Sequence, residues 1–147
     1  SYMEIGCRWG GTFIITTEIL RKKNHNLKAI ACDLIGPTNI MLDYYSHNKS
    51  IQYVQGDSLN ITRSTTGGDI DLILIDGDHS YDGVKGDFEN CLQLNPKYVV
   101  FHDITNDACP GTVSFWQEIK SQYKHFEFTD QYESVNGSYL GIGLIEL

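Results

Sequence analysis

Two periodicities alternate along the 147 residues. Short apolar runs stop at Gly or Asp, and longer stretches with apolar positions three and four apart follow them. Tyr2–Gly6, Leu27–Cys32, Ile51–Gln55, Ile70–Ile75 and Tyr98–Phe101 read as strands. Ile70–Ile75 is nearly all apolar, as a parallel strand covered on both faces should be. Thr12–Lys23 carries Phe13, Ile14, Thr17 and Leu20, with Ile15 and Ile19, on helical spacings, and its cations stand at the end. Asn39–His47 is a short helix, and an irregular or weakly helical stretch runs to Gly67-Gly68. Ser80 is a plausible N-cap for a helix with Val84, Phe88, Cys91 and Leu92 on its buried stripe, ended by Asn95-Pro96. Pro110-Gly111-Thr112 opens a last helix with Val113, Trp116, Ile119 and Tyr123 on one side. Glu127–Tyr132 and Leu140–Glu146, around Asn136-Gly137, read as an antiparallel hairpin.

Strands alternating with helices imply an α/β, doubly wound, mostly parallel sheet with right-handed crossovers. Five such strands and the hairpin make seven. The length suits one domain over residues 1–147, and the chain enters directly in a strand, so N-terminal segments are expected to be missing from it. The apolar runs are too short to cross a bilayer. With 11 basic against 19 acidic residues the net charge is −8, and Arg21-Lys22-Lys23 is the only dense basic run, so neither nucleic acid nor membrane is expected as a partner. Cys7, Cys32, Cys91 and Cys109 show no C-x-x-C spacing. They read as thiols, three of them in apolar surroundings, of a reducing, cytoplasmic setting.

In such a sheet, ligands bind beyond the carboxyl ends of the strands. There the chain places Gly6, Gly10 and Gly11, then Asp33, Asp57-Ser58, Asp76-Gly77-Asp78-His79 and His102-Asp103. Glycine lets backbone approach a ligand closely, although the loop could equally be a tight strand-to-helix turn. The loop lacks both the G-x-G-x-x-G of dinucleotide folds and the Gly-Lys-Ser/Thr of a P-loop. Asp33 stands about 20 residues beyond it, where a carboxylate can accept both hydroxyls of a ribose.

Glu4–Gly11, Ala31–Asp33, Gly56–Ser58 and Asp71–Asp103, above all Leu72–Tyr81, carry a resemblance. The chain resembles class I S-adenosylmethionine-dependent methyltransferases, and is similar to small-molecule O-methyltransferase-like families that include cephalosporin-hydroxylase-like and macrocin O-methyltransferase-like enzymes. The resemblance implies strand order 3-2-1-4-5-7-6 and methyl transfer to a hydroxyl of a sugar, natural product or catechol-like ring. It makes Glu4, Gly6 and Gly10 the loop around the methionine part, Asp33 the ribose ligand, Asp57 and Ser58 the adenine edge, and Asp76 a further cofactor contact. It also implies Mg²⁺ or Mn²⁺ on Asp76 and Asp103, with Asp78 as third ligand. The chain departs from the macrocin type at His102, which stands where that type has Glu.

A hydroxyl is a poor nucleophile and needs a metal or a base. Asp76, His79 and Asp103 are the catalytic candidates, with His79 either the base or a residue orienting Asp76, and His102 a supporting side chain. Trp9 and Tyr81 are expected to pack rather than to hold cofactor. A degenerate domain with a cofactor-binding or structural role is the alternative of a different class. An NAD-dependent dehydrogenase would need the tighter glycine motif, and a metal hydrolase would leave the glycine loop and Asp33 unexplained.

Overall fold

The apolar runs become neighbours in one sheet. In the computed structural model, which describes residues 1–130 and 140–147, β1 (Tyr2–Ile5) lies between β2 (Ala29–Asp33) and β4 (Leu72–Ile75). Outside them run β3 (Ile51–Gln55) and β5 (Tyr98–His102), all five parallel. β7 (Ile142–Glu146) is antiparallel to β5 and to the edge strand β6 (Lys124–Phe128), so the order is β3-β2-β1-β4-β5-β7-β6. The doubly wound fold and its strand order are as expected.

Alternation along β1 divides the core. Met3 and Ile5 face one layer with Ile73, Phe88, Phe101, Phe115 and Trp116, under α4 (Tyr81–Leu92) and α5 (Pro110–Ile119). Tyr2 faces the other with Phe13, Ala31, Met41 and Leu74, under α1 (Gly11–Arg21) and α2 (Asn39–Ser46). Three of the helices take their start from local side-chain chemistry. Ser80 accepts the Gly83 N–H, Thr38 accepts the Met41 N–H, and Pro110 occupies the first turn of α5. Between β3 and β4 the weak helical stretch is a 3-10 turn, Ser58–Asn60, and the short α3 (Arg63–Thr66).

Several expectations shift. The strand at Ile70 begins at Leu72, because the Ile70 N–H donates to the Leu94 carbonyl rather than to a ladder. In α1 Phe13 and Thr17 are buried, whereas Ile15 and Ile19 stand outside the sheet-facing stripe and are exposed. In α4 Leu92, at the helix end, is exposed and Asp87 is buried instead. Phe115, not singled out from the pattern, joins the α5 stripe. β6 starts three residues before Glu127, where Lys124 pairs with Glu146, and Trp116 Nε1 and Lys120 Nζ both donate to Glu127. The turn at Asn136-Gly137 lies outside the described residues. Among the described residues no helix is long and apolar enough to cross a membrane.

Glu4 sits in the second layer, 1% exposed, with the Tyr2 hydroxyl donating to Oε2 at 2.5 Å. Burial pushes its carboxyl up to about 7, helped by the Asp76 charge and opposed by Tyr2 and His102. The folded state therefore holds a proton on Glu4 that the unfolded chain releases near 4.5. That contribution to stability is present below about pH 4.5 and is lost as pH rises through about 7. Urea unfolding should show wild type losing about 3 kcal/mol relative to Glu4→Gln across this window. Parallel pH profiles for the two proteins would contradict the buried, protonated Glu4.

Candidate functional site

The carboxyl ends of β1 to β4 open into a cleft of about 650 Å³. Its floor is the glycine loop. The chain leaves β1 at Gly6 with φ +82°, and Gly6 and Cys7 donate N–H bonds to the Cys32 carbonyl at 2.9 and 3.4 Å. A Cβ at Gly6 would lie 2.1 Å from the Asp76 carbonyl oxygen. Gly10, also left-handed at φ +83°, forms the N-cap of α1, and a Cβ there would lie 2.2 Å from Met41 Sδ. Both glycines are thus required by the protein's own packing, and not only by room for a ligand.

Of the expected cofactor contacts, Gly6, Asp33, Asp57, Ser58 and Asp76 line the cleft; Glu4 and Gly10 do not. Glu4 points into the core from the opposite parity of β1, and Gly10 is turned toward α2. Asp33 Oδ2 accepts the Arg8 N–H at 2.7 Å and Oδ1 accepts the Ile35 N–H at 3.1 Å. Each carboxylate oxygen keeps a further acceptor position. Asp57 accepts the Leu59 N–H at 2.9 Å, and the Ser58 hydroxyl donates to buried Asp87. Burial raises the Asp87 carboxyl, the Asp57 charge adds to it, and the Ser58 bond works against both. An acid one turn from Val84 on a core-facing stripe was the available signal for Asp87. Exposed Leu34, Ile35 and Leu59 give the cleft apolar walls around these acids.

At the other end Asp76, after β4, and Asp103, after β5 at φ +61°, converge. His79 Nε2 lies 3.2 Å from Asp76 Oδ1 and 3.4 Å from Asp103 Oδ2. His102 Nδ1 lies 3.3 and 3.1 Å from the same two oxygens. The close approach of Asp76 lifts His102 to about 9 against the effect of burial, with the Asp103 charge adding to it. Burial would raise Asp103, but the Asn106 amide at 2.9 Å and the His102 charge outweigh it, so its carboxyl is held below the ordinary value.

Asp78, expected as a third ligand, does not join this cluster. Its Oδ1 accepts the Ser80 N–H at 2.8 Å, a turn that sets the start of α4. His102, expected only to support, touches both carboxylates. Cys109 was not anticipated here: its Sγ lies within 4.8 Å of ligand atoms of His79 and Asp103. Its place at the N-cap of α5, after the loop that follows β5, depends on a long-range fold that spacing does not encode. Tyr81 packs edge-on against Phe115 as expected, whereas Trp9 is 67% exposed, with the Arg8 guanidinium 5.7 Å from its ring centre.

The comparisons agree with this geometry. Residues 3–104 match the family model described as a methyltransferase domain, and the chain belongs to that family. Its sheet is the one found in class I S-adenosylmethionine-dependent methyltransferases. CalS11, a TDP-rhamnose 3'-O-methyltransferase of calicheamicin biosynthesis, is similar with a TM-score of 0.68 and 15% identity over 98% of this chain and 70% of that one. An O-methyltransferase from Bacillus cereus, solved with S-adenosylhomocysteine, gives 0.66 and 17% over 99% and 73%. A 1,6-didemethyltoxoflavin-N1-methyltransferase from Burkholderia thailandensis gives 0.67 and 11% over 99% and 70%. No curated protein matches the chain.

Of the three carboxylates on which the resemblance implied Mg²⁺ or Mn²⁺, Asp76 and Asp103 converge, with the imidazoles of His79 and His102 within 3.4 Å of both, and Asp78 is turned instead to the Ser80 N–H.

The glycine geometry predicts opposite outcomes at two positions. Gly6→Ala should lower stability by about 2 kcal/mol or more, because its Cβ meets backbone and its φ is left-handed. Gly11→Ala, with nothing within 4 Å of the added Cβ, should be neutral or stabilise by up to ~1 kcal/mol. Thermal melts read both, and equal melting temperatures would contradict this account of the loop.

Proposed function

We propose that this methyltransferase transfers the methyl group of S-adenosylmethionine to a hydroxyl of a small molecule. The observation that carries the reading is a single cleft with Asp33 beside the glycine loop at one end and Asp76 with His79 at the other. Family membership and the cofactor product named for the Bacillus cereus neighbour support the choice of cofactor. So does charge: five carboxylates and one guanidinium line the cleft among the described residues. This potential suits a sulfonium and opposes the pyrophosphate of a dinucleotide.

When bound, the cofactor supplies a methyl on a cationic sulfur, open to in-line displacement. The protein's task is then alignment. Asp33 has acceptor positions left for ribose hydroxyls, and Leu34, Ile35 and Leu59 offer apolar cover to a flat base. His79, with its side chain 40% exposed, turns its Nε2–H to Asp76 and Asp103, so Nδ1 is the nitrogen that can take the proton of an acceptor hydroxyl. Asp76 and Asp103 orient that ring and stabilise the imidazolium. On this reading residues 1–147 are one methyltransferase domain acting on a small-molecule acceptor.

One observation favours the structural alternative: both Asp33 oxygens already accept backbone N–H groups. Calorimetry with S-adenosylhomocysteine separates the two. Wild type should bind, and Asp33→Ala should lose roughly 1.5–3 kcal/mol, about ten- to a hundred-fold in Kd. No binding by wild type leaves the structural reading, and equal binding by the variant removes Asp33 from the ribose.

A further inference from the structure

Among the described residues β6 is the last strand of the sheet, and every residue in it is exposed. Which of its backbone groups stay free follows from β7. At the two ends of β7 the Gly141 carbonyl and the Leu147 N–H are engaged on the β5 side, with Ile104 and Lys97. Backbone groups alternate sides along a strand, so Ile142, Leu144 and Glu146 turn theirs toward Phe128, Phe126 and Lys124 of β6. The N–H and C=O groups of His125 and Glu127 therefore line the outer edge. Among the described residues no backbone group pairs with them.

The side chains of β6 differ by face. Glu127 accepts from Trp116 and Lys120, and the Trp116 ring meets His125 edge-on, so these two lie on the α5 side. Lys124, Phe126 and Phe128 lie on the other face. There Phe126 and Phe128 are 43% and 55% exposed, and Tyr98 of β5 is exposed in the row of Lys124. Solvated edges are blunted by charge, proline or bulges. Here the one lysine is paired with Glu146 and two Phe stand open.

This edge is complementary to itself. Laid antiparallel about a two-fold axis at Phe126, His125 exchanges both backbone bonds with Glu127 of a second copy, and Glu127 with its His125. Phe126 then meets Phe126 of the second copy in the closer, non-hydrogen-bonded position. Lys124 comes opposite Phe128, and the cationic start of each strand lies toward the Asp130 end of the other. The other antiparallel registers that pair these free groups set His125 on His125 or Glu127 on Glu127, like against like.

We propose that two copies of the chain associate through antiparallel β6–β6 pairing, which makes one continuous sheet across the dimer. The occupant is a second copy because free backbone groups, aromatic row and charge order all match under one two-fold operation. The proposal is independent of the methyl-transfer reading, since β6 contributes no residue to the cleft.

The test uses the full chain as single-cysteine additions. Across the axis, positions 124 and 128 stand about 4.5 Å apart between Cα atoms, within disulfide range. Each stands about 14 Å along the strand from its own symmetry mate. An equimolar mixture of Lys124→Cys and Phe128→Cys should form covalent dimers under mild oxidation, and neither variant alone should. The native cysteines are buried and do not compete. Sedimentation equilibrium should show wild type as monomer and dimer. Phe126→Glu, which sets like charges face to face, should weaken dimerisation by ~10-fold or more with unchanged circular dichroism. If that variant fails to fold, the crosslinking pattern decides. A wild type that stays monomeric, a mixture that crosslinks no better than either variant alone, or a dimer untouched by a folded Phe126→Glu would overturn the pairing.

Discussion

The molecule depends on how tightly the chain turns out of β1. At Gly6 the backbone passes so close to Asp76 and Gly77 that no side chain fits between them. That contact, with the Ile5 carbonyl accepting the Asp76 N–H and the Cys32 carbonyl accepting from Gly6 and Cys7, locks the ends of three adjacent strands. The cleft is what remains above them. The left-handed φ and the absence of room for a Cβ together require glycine at Gly6, so this one position couples fold to site. Asp33 then ties the loop down from the β2 side through the Arg8 N–H.

Charge is the second constraint. Carboxylates gathered at one rim repel one another, and the chain answers differently at each. Asp57 and Asp78 spend theirs on backbone N–H groups at helical starts. Asp87 is sunk beneath the Ser58 hydroxyl. Asp76 and Asp103 are held together by His79 and His102. A rim arranged this way is strongly negative where it is open and balanced where it is closed, which suits a cationic cofactor at one end and proton transfer at the other.

Strand positions were legible because buried parallel strands are apolar on both faces, as Ile73–Ile75 shows. The site's framework was legible for a related reason: polar residues that directly follow such runs must lie at the strand ends, as Asp33, Asp76 and Asp103 do. What was not legible depends on local turns and on contacts distant in sequence, neither of which spacing reveals. Asp78 and Asp76 are two residues apart, yet a local turn at Ser80 sends one away from the cluster. Cys109 reaches His79 and Asp103 only because α5 begins beside them. The exposure of Ile15 and Ile19 follows from which face of α1 the sheet takes, and a helix with apolar residues on two faces does not announce that choice.

The claim that joins these features is that the cofactor's reacting end meets the imidazole and carboxylate cluster. Nuclear Overhauser spectra of the protein with S-adenosylmethionine labelled with ¹³C at the transferable methyl test it directly. Cross-peaks from the methyl protons to the His79 ring protons are the predicted result. A bound cofactor whose methyl shows contacts only to residues away from His79, Asp76 and Asp103 would contradict the account.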